Sequence, residues 1–151
     1  MTFNLSSILR DSARRDPAHP AVVTGSTTIS YGELDARSDA VAAGLIAAGL
    51  APGGSVMLQL PNVPEFVVCL HGILKAGGVV IPTNTLYKAG ELSYVLENAA
   101  VKHIITVDSS AGEAAAATAQ AGGGQVFVLG LLPEAVPEGV SAVPFATLAG
   151  H

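Results

Sequence analysis

Three stretches of this 151-residue chain have residue types that could hold a phosphate, and a fourth could border a ligand. Thr24-Gly25-Ser26-Thr27-Thr28 offers amides and hydroxyls. A phosphate loop needs those groups, with a lysine, on a turn that leaves a strand and enters a helix, so that the helix N-terminus faces the anion. Here no Gly, Pro and Lys follow, and the stretch sits between two short apolar runs ahead of a capped helix, so a hairpin turn is expected. Gly122 to Gly124, and Gly53 with Gly54, stand before strands rather than after them, the order of helix-to-strand turns. Pro82, Thr83, Asn84, Thr85 and Leu86 are different, because they leave a strand at its carboxyl end, where open parallel sheets have their ligand crevice. Short polar residues there either meet a ligand or make turn and cap hydrogen bonds to the next helix, and both readings stand.

Other chemistries are weakly represented. His19, His71, His103 and His151 share no ligand spacing and are expected to be surface or satisfied packing residues, so no metal site is expected. The carboxylates are scattered, Glu33 and Glu65 having capping duties and Glu91 beginning a helix, where its charge suits the dipole. No catalytic pair emerges. Tyr31, Tyr87 and Tyr94 accompany no basic stripe, and a net charge of -5 with only seven Lys and Arg excludes a nucleic-acid footprint. Cys69, the single cysteine, falls on the apolar side of a helix and has no partner for an internal disulfide. Cytoplasmic residence is expected from that cysteine usage, and from an N-terminus whose charges follow its apolar residues, the reverse of a secretory signal. Residues 40–64 carry no charge, but Gly49, Pro52, Gly53 and Gly54 divide them into a helix and a buried strand rather than a membrane span.

The elements that must position these groups follow from hydrophobic spacing. Leu5, Ile8 and Leu9 mark a first short helix before Pro17, and Ala21 to Ser30 gives two short strands around Thr24-Gly25-Ser26. Ser30 and Glu33 form a capping box that opens a helix with Leu34, Val41, Leu45 and Ala48 on one face. Gly44 lets a neighbour approach it, and Gly49 supplies the left-handed stop. Ser55 to Leu60 is the apolar run of a strand covered on both faces. Asn62 and Glu65 repeat the capping pattern around Pro64, ahead of a helix that buries Phe66, Val67, Leu70, Ile73 and Leu74 and ends at Gly77. A strand over Gly78 to Pro82, a helix marked by Leu92, Val95, Leu96 and Ala99, and a strand over His103 to Val107 complete the alternation of a doubly wound sheet. An alanine-rich helix from about Ser109, a strand over Val126 to Leu129 and a proline-punctuated tail carrying Val140 to Val143 follow. The chain is half apolar with 13% charged residues, an excess that implies a face covered by further protein and makes self-association an expectation.

The stretch GSTTISYGELDARSDAVAAGLIAAGLAPGGSVMLQLPNVPEFVVCLHGILKAGGVVIPTNTLYKAGELSYVL resembles the first part of the AMP-forming, adenylate-forming enzyme superfamily. The matching pieces are SYGEL with Ser38, Gly49 with Gly53 and Val56, LPNVPEF, GILKAGGVVIPTN and ELSYVL, in the family's order over roughly half the chain. The texture is most similar to bacterial fatty-acyl-CoA ligases. Gly54 stands where the family usually has Asp, Thr85 where Pro is common and Lys88 where a Ser or Thr cap is common, departures that touch turns and a helix start.

The resemblance implies an α/β fold, a mainly parallel sheet with helices on both faces, as the family's N-terminal subdomain. It divides the chain into a lead-in helix and hairpin over 1–30 and a sheet subdomain over 31–151, with the phosphate loop, adenylate-binding and C-terminal domains absent. It also implies a ligase that uses ATP, Mg and coenzyme A to convert a small carboxylic acid, a fatty acid by texture, into an acyl adenylate and then a thioester. By resemblance alone, Thr83 and Asn84 border the channel for the pantetheine arm of coenzyme A. None of the superfamily's catalytic groups is found, so this chain is expected to be an inactive N-terminal fragment that binds none of the three tightly and packs on the remainder of its own enzyme. A free-standing, non-catalytic binding module derived from the same fold is the alternative. A small nucleotide binder of flavodoxin or Rossmann type is a further one, disfavoured because no glycine fingerprint leaves a strand into a helix.

Overall fold

The computed structural model describes residues 4–150. Helix α1 (Ser6–Arg15) precedes an antiparallel hairpin of β1 (Pro20–Thr24) and β2 (Thr27–Ser30). Its turn is made by Gly25, with φ of +55°, and Ser26, so the hydroxyl-rich stretch is a hairpin tip. Helix α2 (Tyr31–Ala47) opens on the expected capping box: Ser30 Oγ accepts from the Glu33 amide at 3.3 Å, and the Glu33 carboxylate accepts from the Ser30 amide at 2.8 Å.

The strands β3 (Ser55–Gln59), β4 (Val79–Pro82), β5 (His103–Val107), β6 (Gly124–Leu129) and β7 (Val140–Pro144) form one parallel sheet in the order β4-β3-β5-β6-β7. Helices α3 (Pro64–Lys75), α4 (Ala89–Asn98) and α5 (Asp108–Gln120) connect the first four, and a short α6 (Ala146–Ala149) follows β7. From β3 the chain steps one way to β4 and then returns past β3 to β5, β6 and β7. A constant crossover hand therefore puts α3 on one face and α4 and α5 on the other. The two cores agree. Val56, Leu58, Ile105 and Phe127 pack with Val41, Leu45, Val68, Ile73 and Leu148 on one side, and Met57, Ile104, Val126 and Val128 with Leu92, Leu96, Ala111, Ala114 and Ala117 on the other. The uninterrupted apolar run of β3 is thus the signature of a strand buried on both faces.

Three local expectations need correction. Helix α3 has Val63 as its N-cap, with no side-chain cap, because Pro64 occupies the first helical position and leaves Asn62 one residue too early. Glu65 instead accepts from Arg37 of α2 at 2.9 Å. The fully buried residues of α3 are Val68, Cys69, Gly72 and Ile73, while Phe66, Val67, Leu70 and Leu74 are half-buried. Helix α6 was not anticipated. It lies so close to α2 that a Cβ built on Gly44 would stand 2.6 Å from the Leu148 Cα, so the predicted close neighbour of Gly44 is backbone.

Candidate functional site at the carboxyl end of the sheet

The loop over 83–88 leaves β4 and turns into α4. Thr83 is half-buried, and Asn84 is exposed. The Thr83 amide donates to the Leu58 carbonyl at 3.0 Å, extending the sheet by one bond, and its hydroxyl donates to the Ile81 carbonyl at 3.2 Å. Asn84 Oδ1 accepts from the Leu86 amide at 2.9 Å, an Asx turn, and the Asn84 carbonyl accepts from the Tyr87 amide at 3.2 Å. The local turn bonds weighed for these residues are therefore made. They leave the Asn84 side-chain NH2 without a partner among the described residues.

The loop is also held from beneath. Gln59 Nε2 donates to the Asn84 carbonyl at 3.1 Å and Ser110 Oγ donates to the Thr85 carbonyl at 3.1 Å. Glu113 of α5 accepts from the Ala89 amide at 2.8 Å and lies 3.4 Å from Lys88 Nζ. That amide, with Lys88 beside it, holds the Glu113 carboxyl below the usual carboxylate range. At the start of α4, Glu91 returns to the Lys88 amide at 2.9 Å. An ammonium has no lone pair, so the Lys88 side chain cannot supply the other half of a capping box.

In a sheet of this strand order the direction of winding reverses between β3 and β5, and the crevice outside their carboxyl ends is where such folds bind ligands. Gln59 and Thr106 pair across β3 and β5 at that point, Gln59 being one residue beyond the Leu58–Pro82 pair that β3 makes with β4. Sequence reasoning found the loop and missed these two; the one amide late in the apolar run of residues 55–60 was the available signal. The glycine clusters are elsewhere. Gly53 (φ +77°), Gly122 (φ +84°) and Gly123 (φ +88°) make helix-to-strand turns, at the opposite ends of the strands from the loop. Among the described residues no three His, Cys, Asp or Glu side chains gather into a metal-binding group, and no helix is long and apolar enough to cross a membrane.

A cavity of about 270 Å³ lies apart from this end, lined by Ile8, Leu9, Ser12, Tyr31, Val67 and His71 among others, with no residue of the five-stranded sheet. His71 corrects the expectation of satisfied histidines: its Nδ1 is buried with no hydrogen-bond partner, and burial, with Lys75 nearby, lowers its pKa from the usual 6.5. His103 does fit the expectation, bonding the Ala48 carbonyl at 3.1 Å, and His19 stacks on Tyr31. Because the folded pKa of His71 is the lower one, its contribution to stability is complete above pH 6.5 and is lost as pH falls below that value toward the folded pKa. A His71→Phe variant is expected to lose that part of the decline in unfolding free energy between pH 7 and 5, read by urea denaturation. Cys69 is fully buried, and burial drives its thiol pKa far above the ordinary value, so it is inert packing.

The family described as AMP-binding enzyme matches residues 9–142. A long-chain-fatty-acid–CoA ligase of Bacillus subtilis is 40% identical over 69% of this chain and 19% of its own length. A salicyl-AMP ligase / salicyl-S-ArCP synthetase of Mycobacterium tuberculosis is 36% identical over 72% of this chain and 20% of its own. The chain thus spans about a fifth of these curated relatives. Among solved structures, the inhibitor-bound N-terminal domain of FACL13 from Mycobacterium tuberculosis is 33% identical with a TM-score of 0.70, covering 74% of this chain and 28% of that one. Apo MatB from Rhodopseudomonas palustris is 37% identical with a TM-score of 0.74, covering 86% and 26%. Sheet order, two-sided core and these identities converge: the chain belongs to the AMP-binding enzyme family.

Proposed function

We propose that this chain is the sheet subdomain of an ATP-dependent acid–thiol ligase that makes an acyl adenylate from a carboxylic acid, a fatty acid in the first instance, and then a coenzyme A thioester. The observation that carries the substrate class is the 40% identity to the fatty-acid–CoA ligase of Bacillus subtilis. In this reading residues 1–30 are a lead-in and 31–151 the subdomain proper, residing in the cytoplasm. Thr83 and Asn84 form part of the channel wall for the pantetheine arm, where the unpartnered Asn84 NH2 suits a carbonyl acceptor. No triphosphate or Mg ligand is assigned to this chain: Gly53, Gly122 and Gly123 turn into strands, and among the described residues no three His, Cys, Asp or Glu side chains gather. Leu86, Leu131 and Leu132, exposed in loops that leave β4 and β6, are the surface for the remainder of the enzyme and, in its absence, for self-association. A second reading, an aryl acid passed to a carrier-protein thiol, is favoured by the 36% identity to the salicyl-AMP ligase.

The test uses acid-dependent exchange of pyrophosphate into ATP, followed by thioester formation. The 151-residue chain is expected to show no exchange above background. A longer polypeptide that adds the four fifths covered only by the relatives is expected to exchange with long-chain fatty acids and to consume coenzyme A. Turnover by the 151 residues alone, or exchange by the longer protein without use of coenzyme A, overturns the proposal.

A further inference from the structure

Gln59 ends β3 with no exposed surface, after the apolar run Val56-Met57-Leu58. A primary amide buried without partners is costly, so the use made of both its ends is informative. Its Oε1 accepts from Thr106 Oγ1 of β5 at 3.0 Å, and Thr106 is itself fully buried. Its Nε2 crosses 25 residues of sequence to donate to the Asn84 carbonyl at 3.1 Å. Ser110, 4% exposed, holds the next carbonyl, that of Thr85. Buried polar groups from three elements therefore set two successive peptide units of an exposed loop. They satisfy that backbone from inside and leave its outer face to other partners. Asn84 is exposed; its Oδ1 is occupied by the Leu86 amide, and its NH2 is free among the described residues.

We propose that Gln59, itself held by Thr106, is a positioning residue: through the Asn84 carbonyl it orients the Asn84 carboxamide as a donor to a carbonyl-bearing ligand arm at the carboxyl end of the sheet. The ligand part rests on the reading of this loop as a coenzyme A channel wall; the positioning part does not.

The first arm needs only this chain, comparing Gln59→Glu with Gln59→Met by amide exchange and by the 1H–15N shifts of residues 84–88. An ionised carboxylate cannot donate to the Asn84 carbonyl, whereas a protonated one can, and burial raises the carboxyl pKa. At a pH high enough to ionise the Gln59→Glu carboxyl, both variants are expected to lose about tenfold of the protection at Leu86 and Tyr87, as one lost hydrogen bond implies, with Val56 to Leu58 unchanged. On acidification Gln59→Glu recovers toward the parent and Gln59→Met does not. Unaltered loop protection in Gln59→Met, or equal recovery of both variants, overturns the proposal. If Gln59→Glu unfolds at neutral pH, a titration begun in acid, where it can fold, reads the same difference.

The second arm uses the longer ligase. There Gln59→Met, which cannot donate at any pH, is expected to raise KM for coenzyme A about tenfold, by the same single bond, with pyrophosphate exchange within about twofold of the parent. A parallel fall in both activities would mean general destabilisation and overturn the role. Should the parent enzyme ignore coenzyme A altogether, the channel reading fails while the loop-exchange result stands independently.

Discussion

Lys75→Ala is expected to lower the unfolding free energy by about 3–5 kcal/mol, a large share of the roughly 5–15 kcal/mol available to a domain of this kind. The Lys75 side chain is 2% exposed at the C-terminal end of α3, and its Nζ meets Asp35 Oδ1 at 2.6 Å, Asp39 Oδ1 at 2.8 Å and the Asp35 carbonyl at 2.8 Å, all on α2. Three acceptors match the three donors of an ammonium, so the buried cation is fully satisfied. Removing it leaves the Asp35 carboxylate, 22% exposed, beside a cavity and a bare carbonyl. The opposite deletions should cost less. Asp35→Ala leaves Lys75 two acceptors, and Asp39, 54% exposed, is worth about 1 kcal/mol or less. The order Lys75→Ala, then Asp35→Ala, then Asp39→Ala is read from urea midpoints at constant m-value. If Lys75→Ala costs no more than Asp39→Ala, the ammonium is solvated and the helix pair is held by its apolar contacts alone.

That cluster also shows what a single sequence hides. The Ser30 and Glu33 capping box, the Gly49 stop with φ of +92°, and the two-sided apolar run of β3 are local patterns, and each is present as expected. Lys75 and Asp35 lie 40 residues apart, and Thr106 and Gln59 47, so neither pair has any local signature. Both exist because the fold packs α3 against α2 and sets β5 beside β3, which only topology decides. The same limit applies at the candidate site. The loop with Thr83 and Asn84 was legible because it leaves a strand end with short polar residues. Its supports on β3, β5 and α5 were not, because Gln59 looked like a minor blemish in an apolar strand and Ser110 like the start of an alanine helix. The missed N-cap at Val63 has another cause: Asn62 and Pro64 each favour a helix start, and the proline sets the frame.

The α2–α3 contact supplies the other large effect, and here the sign is not obvious from propensity. Gly72 lies in the interior of α3, where replacing glycine by alanine ordinarily gains about 1 kcal/mol. A Cβ at this position would stand 2.6 Å from Val41 Cγ1, 2.7 Å from Val41 Cβ and 3.1 Å from the Ser38 carbonyl oxygen. The Val41 Cβ is tied to the α2 backbone and cannot swing aside, so the helices must separate. Separation loosens contacts of Val41, Leu45, Val68 and Ile73, all 1% exposed or less. Overpacking of this sort costs about 1–3 kcal/mol, and for Gly72→Val, with two further methyl groups to place, the upper end is expected. Even Gly72→Ala should then be destabilising on balance. Pairing Gly72→Ala with Val41→Ala removes the clash with Cγ1 but not with Cβ. Val41→Ala has its own cost as a buried truncation, so the double variant should lose less than the sum of the two single losses, with a coupling of about 0.5–3 kcal/mol. A Gly72→Ala protein as stable as the parent, or more so, would show that α2 and α3 sit farther apart in solution than this packing requires.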